Sequence, residues 1–290
     1  MSQNQEVEFE KGLSPLGVWG LALGAMIGWG CFVMPGNTLL PKAGPIGASI
    51  GLILGALMIV IISFSYSYLI SKFPVAGGEF VYADTAFGKT HAFLCGWFIA
   101  IAYWALIPMN GTAVGLVARY ILPGPLQTFE LYEIAGWTVY GGELLVDILA
   151  IVLIGCVNMR GVQAAGWFQT AVALGLVGSI FTIAAVILMG GPDWSNLQPY
   201  FAPGKTAIAS IFAVTALAPW AYVGFDCIPQ ASEEYAFSNK KTKALLISTI
   251  YVAALMYMIM NIATAVVSPW EQFIVDNSGW PTGAAIESLI

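Results

Sequence analysis

Apolar runs long enough to cross a bilayer follow one another along most of this chain and leave room for almost no other architecture. A bilayer core needs roughly 20 apolar residues per helix. Runs of that kind occupy about residues 15–40, 45–71, 91–121, 143–158, 161–190, 207–236 and 243–267. In hydrocarbon each backbone amide and carbonyl needs an internal partner, so such runs are helices. Only 9% of the 290 residues are charged, against about 25% in soluble domains, too few to solvate a surface of this size. The expected fold class is all-α and integral to a membrane, with seven transmembrane helices.

Several function classes drop out. The net charge is −6 and the ten basic residues are scattered, so no nucleic-acid-binding patch exists. Cys31, Cys95, Cys156 and Cys227 all fall in apolar stretches and read as small buried hydrophobes rather than disulfide halves. His91 is the sole histidine, no zinc-type spacing occurs, and neither a metal nor another cofactor is expected. No nucleophile–base pair sits at one depth, which argues against an enzyme. The first run follows MSQNQEVEFEKG, too acidic for a signal peptide. With the N-terminus in the cytoplasm, Lys11, Lys72, Lys89, Arg160, Lys240, Lys241 and Lys243 fall inside and Lys42, Arg119 and Lys205 outside, the orientation that the positive-inside rule favours. Localisation in the cell membrane as a multi-pass protein follows.

Two of the runs carry helix breakers at their centres. The first contains GAMIGWGCFVMPG, residues 24–36. Gly20, Gly24 and Gly28 are spaced four apart, which suits a close helix–helix contact. That spacing does not account for Gly30 or for Pro35 and Gly36, and a break near 28–30 does. The sixth run reads ALAPWAYVGFDCIPQ at its centre, with Pro219, Gly224 and Pro229. A proline frees the carbonyl four residues back, and freed groups persist at membrane depth only where they face protein or a watery cavity. Paired broken helices are the sequence pointer to a transporter's central site. Free amides suit a carboxylate and free carbonyls suit an ammonium or a sodium ion, so two adjacent breaks form a receptor for a zwitterion without charged side chains. Asp226 and Asp147 are the only acids expected at membrane depth.

Three stretches, GAMIGWGCFVMPG, FPVAGGEFVYADTAFG (73–88) and WAYVGFDCIPQASEE (220–234), resemble signatures of the amino acid–polyamine–organocation permeases. VNMRGVQAAGWFQ (157–169) is similar too. The resemblance implies a leucine-transporter-like fold of two inverted five-helix repeats, usually within a chain of twelve helices, whose first and sixth helices are unwound around the substrate. Carried onto this sequence, the substrate carboxylate meets the backbone around Gly28, Trp29 and Gly30, the amine meets carbonyls of Met26, Trp220 and Val223, and Ile27 is a further substrate-binding position. Trp220 falls where related antiporters place an aromatic gate, and Tyr222 and Gly224 complete the sixth-helix motif. Trp29 departs from the small residue, often serine, that the family carries there. The lysine of the fifth helix and the glutamate of the third, found in some relatives, are absent.

The expected organisation is a cytoplasmic segment at 1–14, a first five-helix repeat at 15–190, the first two helices of the second repeat at 191–267, and an extracellular loop with the start of an eighth helix at 268–290. That abrupt ending suggests part of a longer permease. The loop 71–91 reads as an amphipathic segment against the cytoplasmic mouth. Asn110 and Asp226 are candidate pocket or network residues, the alternative being a helix-tying amide for Asn110 and a cap on freed amides for Asp226. Glu79, Glu233 and Glu234 are candidates for a cytoplasmic latch. The implied function is secondary transport of amino acids by alternating access, with neutral or aromatic substrates favoured. An amino acid/amine antiporter and a non-transporting amino acid sensor are the alternatives. Expected partners are the amino acid, a coupling ion (proton or sodium) or counter-substrate, and the lipid bilayer.

Overall fold

A computed structural model describes residues 11–122, 124–134 and 136–289. Five helical stretches among them are long and apolar enough to cross a membrane: Pro15–Lys72, Lys89–Ile121, Gly141–Asn158, Gln163–Met189 and Thr242–Val266. A shorter apolar helix covers Ala207–Ala221. The first stretch has 58 residues, which at ~1.5 Å per residue would be about 87 Å if straight, far beyond a core of ~30 Å. It is not one rod. Helix α1 (Pro15–Ile27) ends at Gly28, α2 (Gly30–Met34) runs into a π-helical turn at Pro35–Leu39, and α3 (Leu40–Lys72) is kinked at Gly44. Gly44 has φ +69 and precedes Pro45, so the helical ladder is interrupted there. The carbonyl of Tyr200 accepts from the amides of Ile46 and Gly47 at 3.1 and 3.3 Å, satisfying donors that the kink strands.

The described residues divide into two compact units. The first holds α1–α3, nearly all of α7 (Val162–Met189), α8 (Ala207–Ala221), α9 (Cys227–Gln230), α10 (Thr242–Val266), α11 (Trp270–Asp276) and α12 (Pro281–Glu287). Helix α1 opens on Ser14, whose Oγ accepts from the Gly17 amide at 3.1 Å, with Pro15 in the first turn, a strong start signal. Small residues then set the packing. Gly20 and Gly24 press on Thr170 and Gln169 of α7, so the close-contact reading holds for those two glycines. On α3, Gly47, Gly51 and Gly55 form a second stripe of spacing four, against Ser210, Val214 and Ala218 of α8. In α10, Asn261 is fully buried and donates to the Pro45 carbonyl at 2.9 Å, tying α10 to the kink in α3.

Residues 268–289 do more than connect. Trp270 is buried and its indole N–H donates to the Pro199 carbonyl at 3.1 Å. Pro281 and Thr282 cover Gly36, whose amide donates to Thr282 Oγ1 at 3.1 Å. The tail is therefore packed on the first broken helix.

The second unit covers 79–165. It contains α4 (Glu79–Phe87), α5 (Lys89–Ile121), an antiparallel pair β1 (Glu130–Ile134) and β2 (Trp137–Tyr140), and α6 (Gly141–Asn158). Helix α4 occupies the segment read as amphipathic from sequence. Burial followed by the charge of Glu79 pushes the Tyr82 phenol up to about 12. No strands were expected from sequence between the third and fourth apolar runs, where this pair forms. Helices α5 and α6 meet at four-residue steps running in opposite directions. Gly111 faces Ile151, the Gly115 amide donates to Asp147 Oδ1 at 2.7 Å, and Arg119 pairs with Glu143 through hydrogen bonds of 2.6 and 2.5 Å. The Arg119 guanidinium also lies 4.3 Å from the Trp137 ring centroid and donates to the Thr138 carbonyl. Asp147, one of the two acids expected at membrane depth, thus joins two helices.

Candidate functional site

The first break is built from glycines. The Gly28 amide still donates to the Gly24 carbonyl at 3.0 Å, but Gly28 itself leaves the helix with φ 19 and ψ −147. Trp29 restores helical angles and α2 begins at Gly30. The end of α1 leaves carbonyls without helical partners. One of them, on Met26, accepts from the Tyr257 hydroxyl of α10 at 3.2 Å. Gly30 makes room for that phenol, because a Cβ there would lie 2.7 Å from Tyr257 Oη. This gives the glycine off the four-residue spacing a specific reason to be glycine.

The second break carries its own cap. Helix α8 contains Pro219 and ends at Ala221, and the Tyr222 amide bonds back to the Pro219 carbonyl at 3.2 Å. Gly224 then takes φ +117, a conformation that residues with side chains rarely adopt. Its amide donates to Asp226 Oδ1 at 3.0 Å, and Gln230 Nε2 donates to Asp226 Oδ2 at 3.3 Å. Asp226 therefore caps the Gly224 amide at the break.

The breaks touch. A Cβ on Gly224 would sit 2.5 Å from Ala25 Cβ and 3.1 Å from both the Ala25 carbonyl carbon and the Met26 amide nitrogen. Only a glycine lets the sixth-run backbone approach the last turn of α1 this closely. The arrangement puts interrupted backbone from two helices side by side, with no basic side chain contributed by either break segment.

The other sequence-selected residues fall as follows. Ile27 and Met26 are buried by side chain, so they reach the break only through their backbones. Trp29 is half-buried against Trp280, ring centroids 4.9 Å apart at 45°, and the Trp280 indole N–H donates to the Phe32 carbonyl at 2.7 Å. Trp220 is 56% exposed, Val223 half-buried. Tyr222 is fully buried and its hydroxyl donates to the Leu52 carbonyl at 2.8 Å, which anchors the break to α3. Asn110 lies in the second unit and returns a hydrogen bond to Leu106 of its own helix at 2.8 Å. Glu79 begins α4 in that unit. Glu233 Oε2 accepts from the Ala76 amide at 2.8 Å and Ser232 Oγ donates to Val75, so the acidic end of the sixth run binds the FPVAGG loop. The Glu234 carbonyl accepts from Leu13, bringing the segment ahead of α1 to the same place. Among the described residues Arg119–Glu143 is the one ion pair, so neither Glu233 nor Glu234 is paired with Lys240, Lys241 or Lys243.

Tyr257 and Trp280 were not singled out from the sequence. A polar tip at Tyr257 one turn before Asn261, within the otherwise apolar LMYMIMN, was the available signal for the first. Nothing local marked Trp280, whose role depends on the tail folding back.

A family model described as amino acid permease matches residues 13–289. The chain belongs to the amino acid permease family. Among curated relatives, this chain is 26% identical over 295 residues to the methylthioribose transporter of Bacillus subtilis (strain 168), covering 99% of this chain and 61% of that protein. It is 24% identical over 268 residues to the branched-chain amino acid permease BcaP of the same organism, covering 87% and 54%. It is also 24% identical over 245 residues to the serine/threonine exchanger SteT, again of Bacillus subtilis, covering 84% and 52%. The chain thus spans 52 to 61% of the length of these relatives. Family and apolar helices together make it a multi-pass membrane protein.

Proposed function

We propose that this permease takes part in secondary transport of amino acids by alternating access, with the two helix breaks as the substrate site. The observation that carries the reading is the seating of Gly224 on the Ala25–Met26 backbone. Two interrupted helices in contact offer amides and carbonyls together, the complement of a zwitterion. In this reading the carboxylate meets the backbone of Gly28, Trp29 and Gly30, and the amine meets carbonyls of Met26, Trp220 and Val223. Exposed Trp220 serves as the gate. Counting the 58-residue stretch as two crossings divided near the Gly44 kink, and Ala207–Ala221 with α9 as one broken crossing, gives seven spans. These form one five-helix repeat and the opening pair of its inverted partner, with the N-terminus cytoplasmic. The lack of basic side chains in either break favours neutral or aromatic substrates.

Exchange against a second solute, rather than ion coupling, is the second reading. It is favoured by the absence of charge from the matching stretches VALGLVG and IAIAYWALIPMNG, and one relative is an exchanger by name.

Thermal unfolding of the detergent-purified protein against L-amino acids, their decarboxylated amines and methylthioribose tests the assignment. A ligand at about 100 times its dissociation constant adds roughly 2.7 kcal/mol. Stabilisation by neutral amino acids and not by their amines is expected. Equal stabilisation by the amines overturns the carboxylate site, and stabilisation by methylthioribose alone overturns the substrate class.

A further inference from the structure

A cleft of about 730 Å³ lies where the end of α3 meets the start of α10, and no residue of either break lines it. Its polar lining is Ser67, Ser71, Ser238, Lys240 and Lys243. The Lys243 ammonium stands 4.6 Å from the centroid of the Phe64 ring, and the Lys72 ammonium 5.8 Å from that of Tyr68. Two cations therefore line one opening, and a third, Lys72, is held against Tyr68 of the same lining. Among the described residues no carboxylate lies within ion-pair distance of any of them. Glu233 and Glu234, at the acidic end of the sixth run, form no ion pair with these lysines among the described residues. Cations and hydroxyls in one concave place, without a counter-charge, match the oxygens of a phosphate group.

The wall of the cleft continues into apolar surface. Phe64 lies in the cleft and also in an exposed row on α3 with Ile61, Leu57 and Ile53, all between 43 and 67% exposed. These positions step back by three or four residues, so they share one helix face. A soluble phosphate compound has no use for that row, whereas an acyl chain lies along it. Basic pockets between transmembrane helices are a recurrent solution for acidic headgroups.

We propose that this cleft binds an anionic phospholipid, with the phosphodiester held by Lys240 and Lys243 beside the serine hydroxyls, and an acyl chain lying along Phe64, Ile61 and Leu57. The site is separate from the substrate breaks and stands whether or not the substrate reading does. Lys72 supplies a third charge at the rim.

The test is native mass spectrometry with thermal unfolding of the purified protein in detergent, titrated with phosphatidylglycerol, phosphatidylcholine or inorganic phosphate. Phosphatidylglycerol should be retained and raise the melting temperature at concentrations at least tenfold below those needed for phosphatidylcholine. The double variant Lys240→Gln, Lys243→Gln should abolish that preference while melting like the wild type without lipid, because both side chains are exposed. Lys205→Gln, on a different loop, should leave it unchanged. Equal retention of the two lipids overturns the proposal, as does an equal loss in Lys205→Gln, which would mark bulk charge attraction. A matching shift with inorganic phosphate alone would assign the cleft to a soluble anion and overturn the lipid.

Discussion

At the first break the exposed backbone is served by other elements: Tyr257 of α10 bonds the Met26 carbonyl, Trp280 of the tail bonds the Phe32 carbonyl, and Thr282 takes the Gly36 amide. At the second break the chain serves itself, since Asp226 lies two residues from the Gly224 amide that it accepts. The difference has a physical consequence. A self-capped break keeps its geometry wherever the helix goes. A break capped from outside changes its free backbone groups whenever α10 or the tail shifts against it. In the proposed substrate site, the first break is therefore the half whose ligand affinity is set by the positions of its neighbours, and the second is the fixed half.

Substitutions at the two central glycines should break this symmetry most visibly. Gly224→Ala forces a side chain into φ +117 and against Ala25 Cβ, and strain of that kind alone is worth about 1–3 kcal/mol. With the added clash, a loss of about 3 kcal/mol is expected, read as a lower melting temperature. Gly28→Ala meets nothing nearer than the Gly24 carbonyl oxygen at 3.4 Å, so its loss of stability should be the smaller of the two. Ligand stabilisation should nevertheless fall in Gly28→Ala, because the added methyl crowds the amides proposed for the carboxylate. Equal destabilisation by the two variants would show that both glycines serve packing alone.

Tyr257→Phe comes next. It leaves the Met26 carbonyl buried without its partner, at a cost of about 1–3 kcal/mol. The same change frees that carbonyl for an amine, so ligand should recover more of the lost stability than in the wild type. The comparison weakens if Tyr257→Phe lowers stability and ligand response in proportion, since the phenol would then act only as packing.

The contrast also bears on what the amino-acid pattern carried. Breaks at 28–30 and around 219–229 were legible because glycine and proline at membrane depth violate helix propensity, and a violation is a local signal. Gly20 and Gly24 were legible as contact residues by spacing, though not the helix they would touch. The family motifs named the residues of both breaks, but Gly224 against Ala25 could not be read, because that proximity is set by the stripe of Gly47, Gly51 and Gly55 bringing α8 onto α3. Tyr257 and Trp280 went unread for the same reason: each is an ordinary aromatic until the chain some 230–250 residues away is placed beside it. The β1–β2 pair escaped because GWTVY and ELYEI are too short and too mixed in polarity to carry a strand signal.

The smallest effect is the most discriminating for the second break. An acid at membrane depth is by default a functional group, and capping is the competing role. Asp226→Ala removes the acceptor for the Gly224 amide, which should cost about 1 kcal/mol. Asp226→Asn keeps an oxygen in the same place and removes the charge, so a capping role predicts a melting temperature within about 0.5 kcal/mol of the wild type. The asparagine variant should also keep the wild-type ligand response at both acidic and neutral pH. A proton-carrying role predicts the opposite pattern, with Asn as damaging as Ala to uptake in reconstituted vesicles and its pH dependence lost. If Asn rescues stability but not uptake, Asp226 both caps the break and carries charge, and the second half of the site would no longer be the passive one.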